Sequence, residues 1–192
     1  MIIAYSPEKK DIKKSFNELK DRAISARKRG KAYDYGEQWT RLWYNIFSYT
    51  AIVFAAITLL LSALGTSPVL YYIRVIFAAF TFLFTGVVKF ARLSDKIKDN
   101  HYFSVEFTNL SNNIAHFLNQ KKKSPYAFKI INETTYTKYQ TLGDVSTPLP
   151  NRFRTKANSD VDNDIDDWMR NRLDDSLSET ISEENSLCDT EM

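Results

Sequence analysis

Two rows of small or weakly polar residues, one of which includes an arginine, are the clearest candidates for a functional surface in this sequence. Their members recur every three or four residues, so each row lies along one face of a helix. Such a row either lets helices approach closely in a bilayer or lines a pore. Both interpretations stay open. The candidate pore-lining or helix-packing residues are Asn45, Ser48, Ala51, Ala55, Thr58 and Ser62 in the first row, and Arg74, Ala78, Thr81 and Thr85 in the second.

Arg74 gives the pore interpretation a specific form, because it is the one charged residue in either row. In a pore lining it would lie at the non-cytoplasmic mouth and favour anions or set a gate. As a residue near a helix end it would instead extend its guanidinium to the membrane interface. In that position the free-energy cost of insertion is lower than for an arginine at the bilayer centre, where it is about 2.5 to 3.5 kcal/mol. Two helices cannot enclose water, so a pore requires an oligomer.

No other set of residues predicts catalysis or a tightly bound ion. His101 and His116 are fifteen residues apart, without a cysteine or carboxylate at ligand spacing. Alternating aspartates begin at Asp160 as in a calcium loop, but the positions that need glycine and a bidentate glutamate hold other residues. Cys188 is the only cysteine, which excludes an intrachain disulfide. We therefore predict no enzyme activity, no cofactor and no metal site.

Two apolar segments carry the rows and predict a transmembrane hairpin. Transmembrane helix 1 is predicted over 42–64, which contains no charge, and transmembrane helix 2 over 69–88. Each is long enough to cross a hydrocarbon layer of about 30 Å. The link 65–68 is so short that the helices must be antiparallel, and its last two residues are typical of a helix start. Aromatic residues that would form an interfacial belt are Trp39, Trp43, Tyr44, Tyr71 and Tyr72.

The charge distribution predicts the orientation of this hairpin. Residues 1 to 158 carry 24 basic and 11 acidic side chains, and residues 159 to 192 carry 2 basic and 12 acidic ones. Lysines and arginines flank both spans on the side of the chain ends, whereas the link carries none. The positive-inside bias then places both termini in the cytoplasm. The alternative is a hairpin buried in a soluble helical bundle, which would not need 23 uncharged residues.

The cytoplasmic flanks, 1–41 and 89–150, are predicted to be helical, and each carries an apolar stripe. The first helix would begin at Ser6 and Pro7, and Gly30 is a point at which it could be interrupted. A long helix would leave the second span, and the two stripes would pair as a stalk. The stripe residues are Ile12, Phe16, Leu19, Ala23 and Ala26 before the spans, and Phe90, Leu93, Ile97, Phe103, Phe107, Leu110, Ile114 and Phe117 after them.

The long helix after the second span is predicted to end near Gln120, and a further short helix to begin at Ser124 and Pro125. The acidic segment 151–192 is predicted to be a disordered tail, within which 165–173 could form one amphipathic turn on a partner. A basic protein is the partner that such a tail would recruit.

Basic residues near Arg27 and at Lys121 to Lys123 would suit nucleic acid or anionic lipid. Their place beside the spans favours anionic lipid headgroups, to whose binding each lysine or arginine contributes about 1 kcal/mol. We therefore predict the lipid bilayer and further copies of this chain as partners, and no nucleic acid.

In its order of elements the chain resembles the SLATT family, two-span effector domains associated with SMODS and SLOG proteins, over about Ile12 to Pro150. The resemblance implies a membrane protein that oligomerises and forms a pore or perturbs the bilayer as an effector in bacterial conflict systems. Similar domains occur in large DNA viruses. The acidic tail and the lack of an attached sensor domain depart from the family's arrangement. The residues that carry the resemblance are Arg27, Tyr33, Trp39, Trp43, His101, Tyr102, Phe107, Leu110, Ala115, Leu118 and Thr147 to Pro150.

The sequence therefore predicts an all-α membrane protein with a two-helix transmembrane hairpin, flanking cytoplasmic helices and an acidic tail. Its expected function is oligomerisation with pore formation or membrane perturbation. The alternative is a membrane-anchored structural or interaction protein, viral or cellular, that recruits partners through its stalk and tail.

Overall fold

The structure is a computed structural model that describes residues 9–64, 67–120 and 124–164. Every regular element in these ranges is a helix, as the sequence predicts. Two of the helices contain segments long and apolar enough to cross a membrane. The elements are α1 (Lys9–Ala63), α2 (Pro68–Phe90), α3 (Leu93–Leu118), α4 (Pro125–Val145) and α5 (151–164).

The chain forms two compact units. The hairpin unit comprises residues 34–102, which hold the second half of α1, all of α2 and the start of α3. The bundle unit comprises residues 1–33 and 103–192, of which the structure describes the first half of α1, the rest of α3, α4 and α5. Both α1 and α3 therefore contribute to each unit.

The predicted starts of two helices are confirmed by their capping geometry. Ser67 precedes α2, and its hydroxyl accepts a hydrogen bond from the Leu70 backbone N–H at 3.3 Å, with Pro68 as the first helical residue. Ser124 caps α4 in the same way. Such caps satisfy N–H groups that lack a partner inside the helix. The predicted start at Ser6 and Pro7 lies outside the described residues.

α1 continues through Gly30, so the interruption predicted there is wrong. Gly30 is buried against α3, where a Cβ would lie 2.7 Å from Thr108 Oγ1 and 3.2 Å from the Ser104 carbonyl oxygen. The glycine therefore permits close approach of two helices rather than a break in one. Its cost in helix propensity, about 1 kcal/mol relative to alanine, does not end a helix that packing holds on both sides.

The long helix predicted to leave the second span is instead two helices. α2 ends at Phe90 and α3 begins at Leu93, and between them Arg92 has a φ of 48°. A non-glycine residue in this left-handed region costs about 1 to 2 kcal/mol. The Arg92 backbone N–H bonds the Lys89 carbonyl oxygen at 3.2 Å, which closes the turn. α3 then ends at Leu118, close to the predicted Gln120.

In the bundle unit the helices alternate in direction. Ser111 donates to the Ala23 carbonyl oxygen at 2.9 Å, and Thr108 faces Gly30, so α3 runs antiparallel to α1. α4 runs parallel to α1, since its positions pair with α1 in ascending order. The pairs that establish this are Arg22 with Asn132, at 2.7 Å, and Arg29 with the Gly143 position.

The bundle core is built from the predicted stripes. Phe16, Leu19, Ala23 and Ala26 of α1 are fully buried or nearly so, and the five predicted stripe residues from Phe103 to Phe117 are buried as well. This part of the two stripes pairs as expected. The predicted stripe residues before Phe103 lie outside the core, since Leu93 and Ile97 are half-buried and Phe90 is 85% exposed. The bundle also contains helices beyond that pair, because Phe128 and Leu142 of α4 and Val161 of α5 join the same core. Nothing is described of the side chain of Ile12.

A polar network attaches α4 to α1 beside this core. Arg22 donates to the side-chain oxygen and carbonyl oxygen of Asn132 and to the Thr135 hydroxyl, at 2.7 to 2.9 Å. The guanidinium also lies 5.2 Å from the Tyr136 ring centroid. Burial lowers the pKa of Arg22 from its ordinary value. Asn132 in turn donates to Glu18 at 3.1 Å, so the amide fixes the register of the two helices.

The prediction of a disordered tail from residue 151 is wrong for residues 151–164, which form α5. Ala157 and Val161 are 0% and 1% exposed, four residues apart on one helical face. Lys28 lies 2.7 Å from Asp162 and Arg27 lies 3.9 Å from Asp164, so α5 runs antiparallel to α1. These two residues place one face of α5 on the bundle core. Residues 165–192, with the predicted amphipathic turn at 165–173, lie outside the described residues.

Candidate functional site

An aromatic seam joins the two apolar helices of the hairpin unit. Phe47 of α1 stacks on Phe84 of α2 at 5.9 Å between centroids, and Phe54 packs against Phe77 at 5.4 Å. Positions on α2 descend as those on α1 ascend, so the helices are antiparallel, as the short link requires. Aromatic pairs of this kind contribute about 0.5 to 1.5 kcal/mol beyond their buried area. This seam is not among the features predicted from the sequence, although phenylalanine recurs at an interval of seven on both helices.

Beside the seam, the two predicted rows meet in a groove. The groove has a volume of 510 Å³ and almost wholly apolar walls. Half of the ten candidate residues line it: Ala55, Thr58, Ala78, Thr81 and Thr85. Leu59 and Phe82 form its rims, 72% and 80% exposed. The structure thus brings the centre of both rows to one surface shared by α1 and α2.

The groove's threonine hydroxyls are bonded within their own helices. Thr58 donates to the Phe54 carbonyl oxygen at 2.8 Å, and Thr81 and Thr85 donate to the carbonyl four residues earlier at 2.9 and 2.8 Å. Their donors are therefore used, and the hydroxyl oxygens can only accept further hydrogen bonds. The groove is accordingly lined by small side chains that present methyl groups more than polar atoms. Such a surface allows another helix to approach closely.

The other candidate residues lie outside this lining. Asn45 and Ser62 are exposed, Ser48 and Arg74 are half-buried, and Ala51 is buried. Ser62 repeats the pattern of the threonines, since its hydroxyl donates to the Thr58 carbonyl oxygen at 2.8 Å. The groove therefore contains two members of the first row and all members of the second row except Arg74.

Large apolar side chains surround the groove, and no other part of the described chain covers them. Apart from Ala51, no residue in the most apolar 18 residues of either helix is buried. These are consequently not core helices of this chain, which argues against the alternative of a buried hairpin in a soluble bundle. An uncovered apolar surface of this extent needs an apolar environment or another protein.

A polar cluster lies at the base of the hairpin unit, where α1 and α3 meet. Glu37 is 8% exposed and contacts both His101 and Arg41. Its Oε2 lies 2.9 Å from His101 Nδ1. Sequence spacing gives no sign of this partner of His101, because Glu37 is 64 positions away. His116 is exposed, and no group of three metal-ligating side chains occurs in the part of the chain that the structure describes.

Comparison with protein-family models, curated proteins and solved structures finds no match to this chain. Function is therefore inferred from the geometry of the two units. The hairpin unit provides an aromatic seam, a small-residue groove and uncovered apolar faces.

Proposed function

We propose that the protein is an integral membrane protein whose hairpin units associate through the groove into an oligomer that permeabilises the bilayer. The observation that carries this proposal is the groove itself, formed by small residues of both spans within uncovered apolar faces. In lipid, helices associate by close packing rather than by the hydrophobic effect, so a small-residue surface is the kind of contact that holds them together. A pore or a local perturbation of the bilayer follows from such an assembly, as the resemblance to SLATT effectors implies.

The exposed side chains support membrane insertion. Phe82, Leu59 and Leu64 are 80%, 72% and 70% exposed, and α2 contains no buried residue at all. Transfer of one such side chain from water to an apolar environment contributes about 1.5 to 3 kcal/mol. With many such residues on two helices, the lipid-inserted state is favoured by far more than the cost of one arginine near a helix end.

We further propose that both termini are cytoplasmic, which places the bundle unit on that side. Replacement of Cys188 by serine gives a background without cysteines, in which Thr66→Cys reports the hairpin link and Asn119→Cys reports the bundle. In intact cells a membrane-impermeant maleimide should label position 66 and not position 119. Labelling of position 119 alone would reverse the assignment, and labelling of neither until detergent is added would contradict the exposure of the link.

The permeabilising activity is tested with the full chain in liposomes. We expect the liposomes to release ions or a small dye. The rate of release should increase more than linearly with the protein-to-lipid ratio, because several copies form each conducting unit. Cross-linking in the same vesicles should yield an oligomer. A protein that remains monomeric, or an oligomer that leaks nothing, would contradict the proposal.

A membrane-anchored interaction protein is the second candidate, and α5 is the observation that favours it. The acidic residues Asp162 and Asp164 contact basic residues of α1, so the bundle unit is a folded body with charged groups of both signs on its surface. Truncation after Asp164 removes the remaining acidic segment and leaves α5 intact. An interaction protein should lose partner recruitment on this truncation, whereas a pore should keep its conductance.

A further inference from the structure

The bundle unit contains a second cavity, unrelated to the groove of the hairpin unit. It lies between the Ser25–Tyr33 part of α1, the end of α4, the connector 146–149 and the start of α5. Its volume is about 420 Å³, within the range of about 300 to 1,000 Å³ that is usual for sites of small organic ligands. All its walls belong to the bundle unit.

Its charged lining is entirely basic. Lys28, Arg29 and Arg154 line the cavity, and none of the lining residues is acidic. Lys28 is paired with Asp162 at 2.7 Å, on a carboxylate that is 60% exposed. Within the described residues, Arg29 and Arg154 have no carboxylate partner. Two guanidinium groups and a lysine around one cavity create a positive potential that favours an anion carrying more than one charge.

Arg29 is held in a fixed position at the cavity wall. Its guanidinium carbon lies 4.6 Å from the centroid of the Tyr139 ring and 5.7 Å from that of Phe107. A Cβ at position 143 would lie 2.9 Å from Arg29 Nη1, so the glycine of α4 makes room for the guanidinium. Stacking of this kind leaves the N–H groups in the plane of the guanidinium free to bind an oxyanion.

The rest of the lining adds hydrogen-bonding groups and an apolar wall. The Tyr33 hydroxyl donates to the Thr147 carbonyl oxygen at 2.7 Å, which holds the connector over α1. The side chains of Ser25 and Asn158 also line the cavity, and Pro148 and Leu149 form an apolar side. A site with several cations, neutral donors and one apolar wall fits an organic phosphate better than a bare inorganic ion.

We propose that this cavity is a binding site for a phosphate-bearing organic anion, with Arg29 and Arg154 as its principal phosphate contacts. The phosphate belongs either to a soluble nucleotide-like molecule or to a phosphorylated lipid headgroup. Binding at this site does not depend on whether the hairpin forms a pore, so it can be tested without any measurement of leakage.

The test is isothermal titration of the full chain in phosphatidylcholine nanodiscs with pyrophosphate, ATP and inositol trisphosphate. The titrations are run at about 150 mM salt, which screens long-range attraction. We expect saturable binding of at least one organic phosphate. Tighter binding of ATP identifies a soluble nucleotide-like ligand, and tighter binding of inositol trisphosphate identifies a lipid headgroup.

Three variants decide whether binding occurs in the cavity. Arg29→Gln and Arg154→Gln each remove one phosphate contact and should weaken binding by about tenfold. Lys14→Gln removes one charge from an exposed position of α1 outside the cavity and should leave the affinity unchanged. Equal weakening by all three variants would mean non-specific attraction to a basic surface, and no binding of any probe would equally overturn the proposal. Retained thermal unfolding midpoints in Arg29→Gln and Arg154→Gln exclude misfolding as the cause of a loss, because both side chains are exposed.

Discussion

His101 Nδ1 lies 2.9 Å from Glu37 Oε2, which joins α3 to α1 inside the hairpin unit. The side chain of Glu37 is 11% exposed and that of His101 is 64% exposed, so the carboxylate is the buried member of the pair. Arg41, one turn further along α1, contacts the other oxygen of the same carboxylate. The cluster therefore satisfies a buried charge from two directions where the apolar spans begin.

Removal of this carboxylate should destabilise the hairpin unit. Glu37→Ala leaves Arg41 and His101 without their shared partner, and loss of such bonds costs about 1 to 3 kcal/mol. The matched control is Asp34→Ala in the same turn, because the Asp34 carboxylate bonds Gln38 within α1 alone. Thermal unfolding in detergent is monitored by tryptophan fluorescence. We expect a lower unfolding midpoint for Glu37→Ala than for Asp34→Ala. Equal midpoints would mean that the cluster contributes nothing between helices.

Gly30 should not tolerate a side chain. A methyl group there would lie 2.7 Å from Thr108 Oγ1 and 3.2 Å from backbone atoms of α3, so Gly30→Ala should destabilise the bundle unit by about 1 to 3 kcal/mol despite alanine's better helix propensity. Gly86→Ala is the control, since its Cβ would meet Phe90 at an ordinary 3.8 Å. Chemical denaturation followed by circular dichroism compares the two. Addition of Thr108→Ala to Gly30→Ala should restore part of the loss, and a neutral Gly30→Ala would show that the helices separate easily.

Filling the groove should disrupt assembly. Thr58→Leu and Thr81→Leu place bulky side chains where another helix would approach, so we expect both the cross-linked oligomer and vesicle leakage to fall at least several-fold. Thr50→Leu is the control, because Thr50 bonds its own helix in the same way but does not line the groove. If leakage falls while the oligomer persists, the groove lines a water-filled path instead of a helix contact. If neither changes, the groove has no part in assembly.

The packing of α5 should depend on its apolar face and not on its ion pairs. Val161→Asp buries an unpaired carboxylate at a position that is 1% exposed, so α5 should detach and become cleavable by protease within 151–164. Asp162→Asn removes only the pair with Lys28, in which the carboxylate is largely exposed, and such pairs contribute about 0 to 1 kcal/mol. Limited proteolysis with mass spectrometry compares the two variants. Equal protection of α5 in both would show that Val161 does not anchor the helix.

Features set by near neighbours in the chain were determined by the sequence itself. The two apolar spans follow from composition, and the starts of α2 and α4 follow from Ser67 and Ser124, each followed by proline. The antiparallel hairpin follows from a four-residue link, because no other arrangement is within its reach. The core stripes of α1 and α3 are also local, since a period of three to four residues marks one face of a helix.

Features that depend on contacts between distant positions could not be predicted from the sequence and are seen only in the folded protein. Gly30 signals a break when read locally, yet the approach of Thr108 makes it part of a continuous helix. The acidic residues around Val161 signal disorder, yet one apolar face on the bundle core is enough to order them. Glu37 meets His101 and Arg29 meets Tyr139 across 64 and 110 residues, and no periodicity within one helix encodes such a pairing. The groove belongs to the same class, since each span supplies a row of small residues but only the rotation of both helices about the phenylalanine seam brings those rows to one surface.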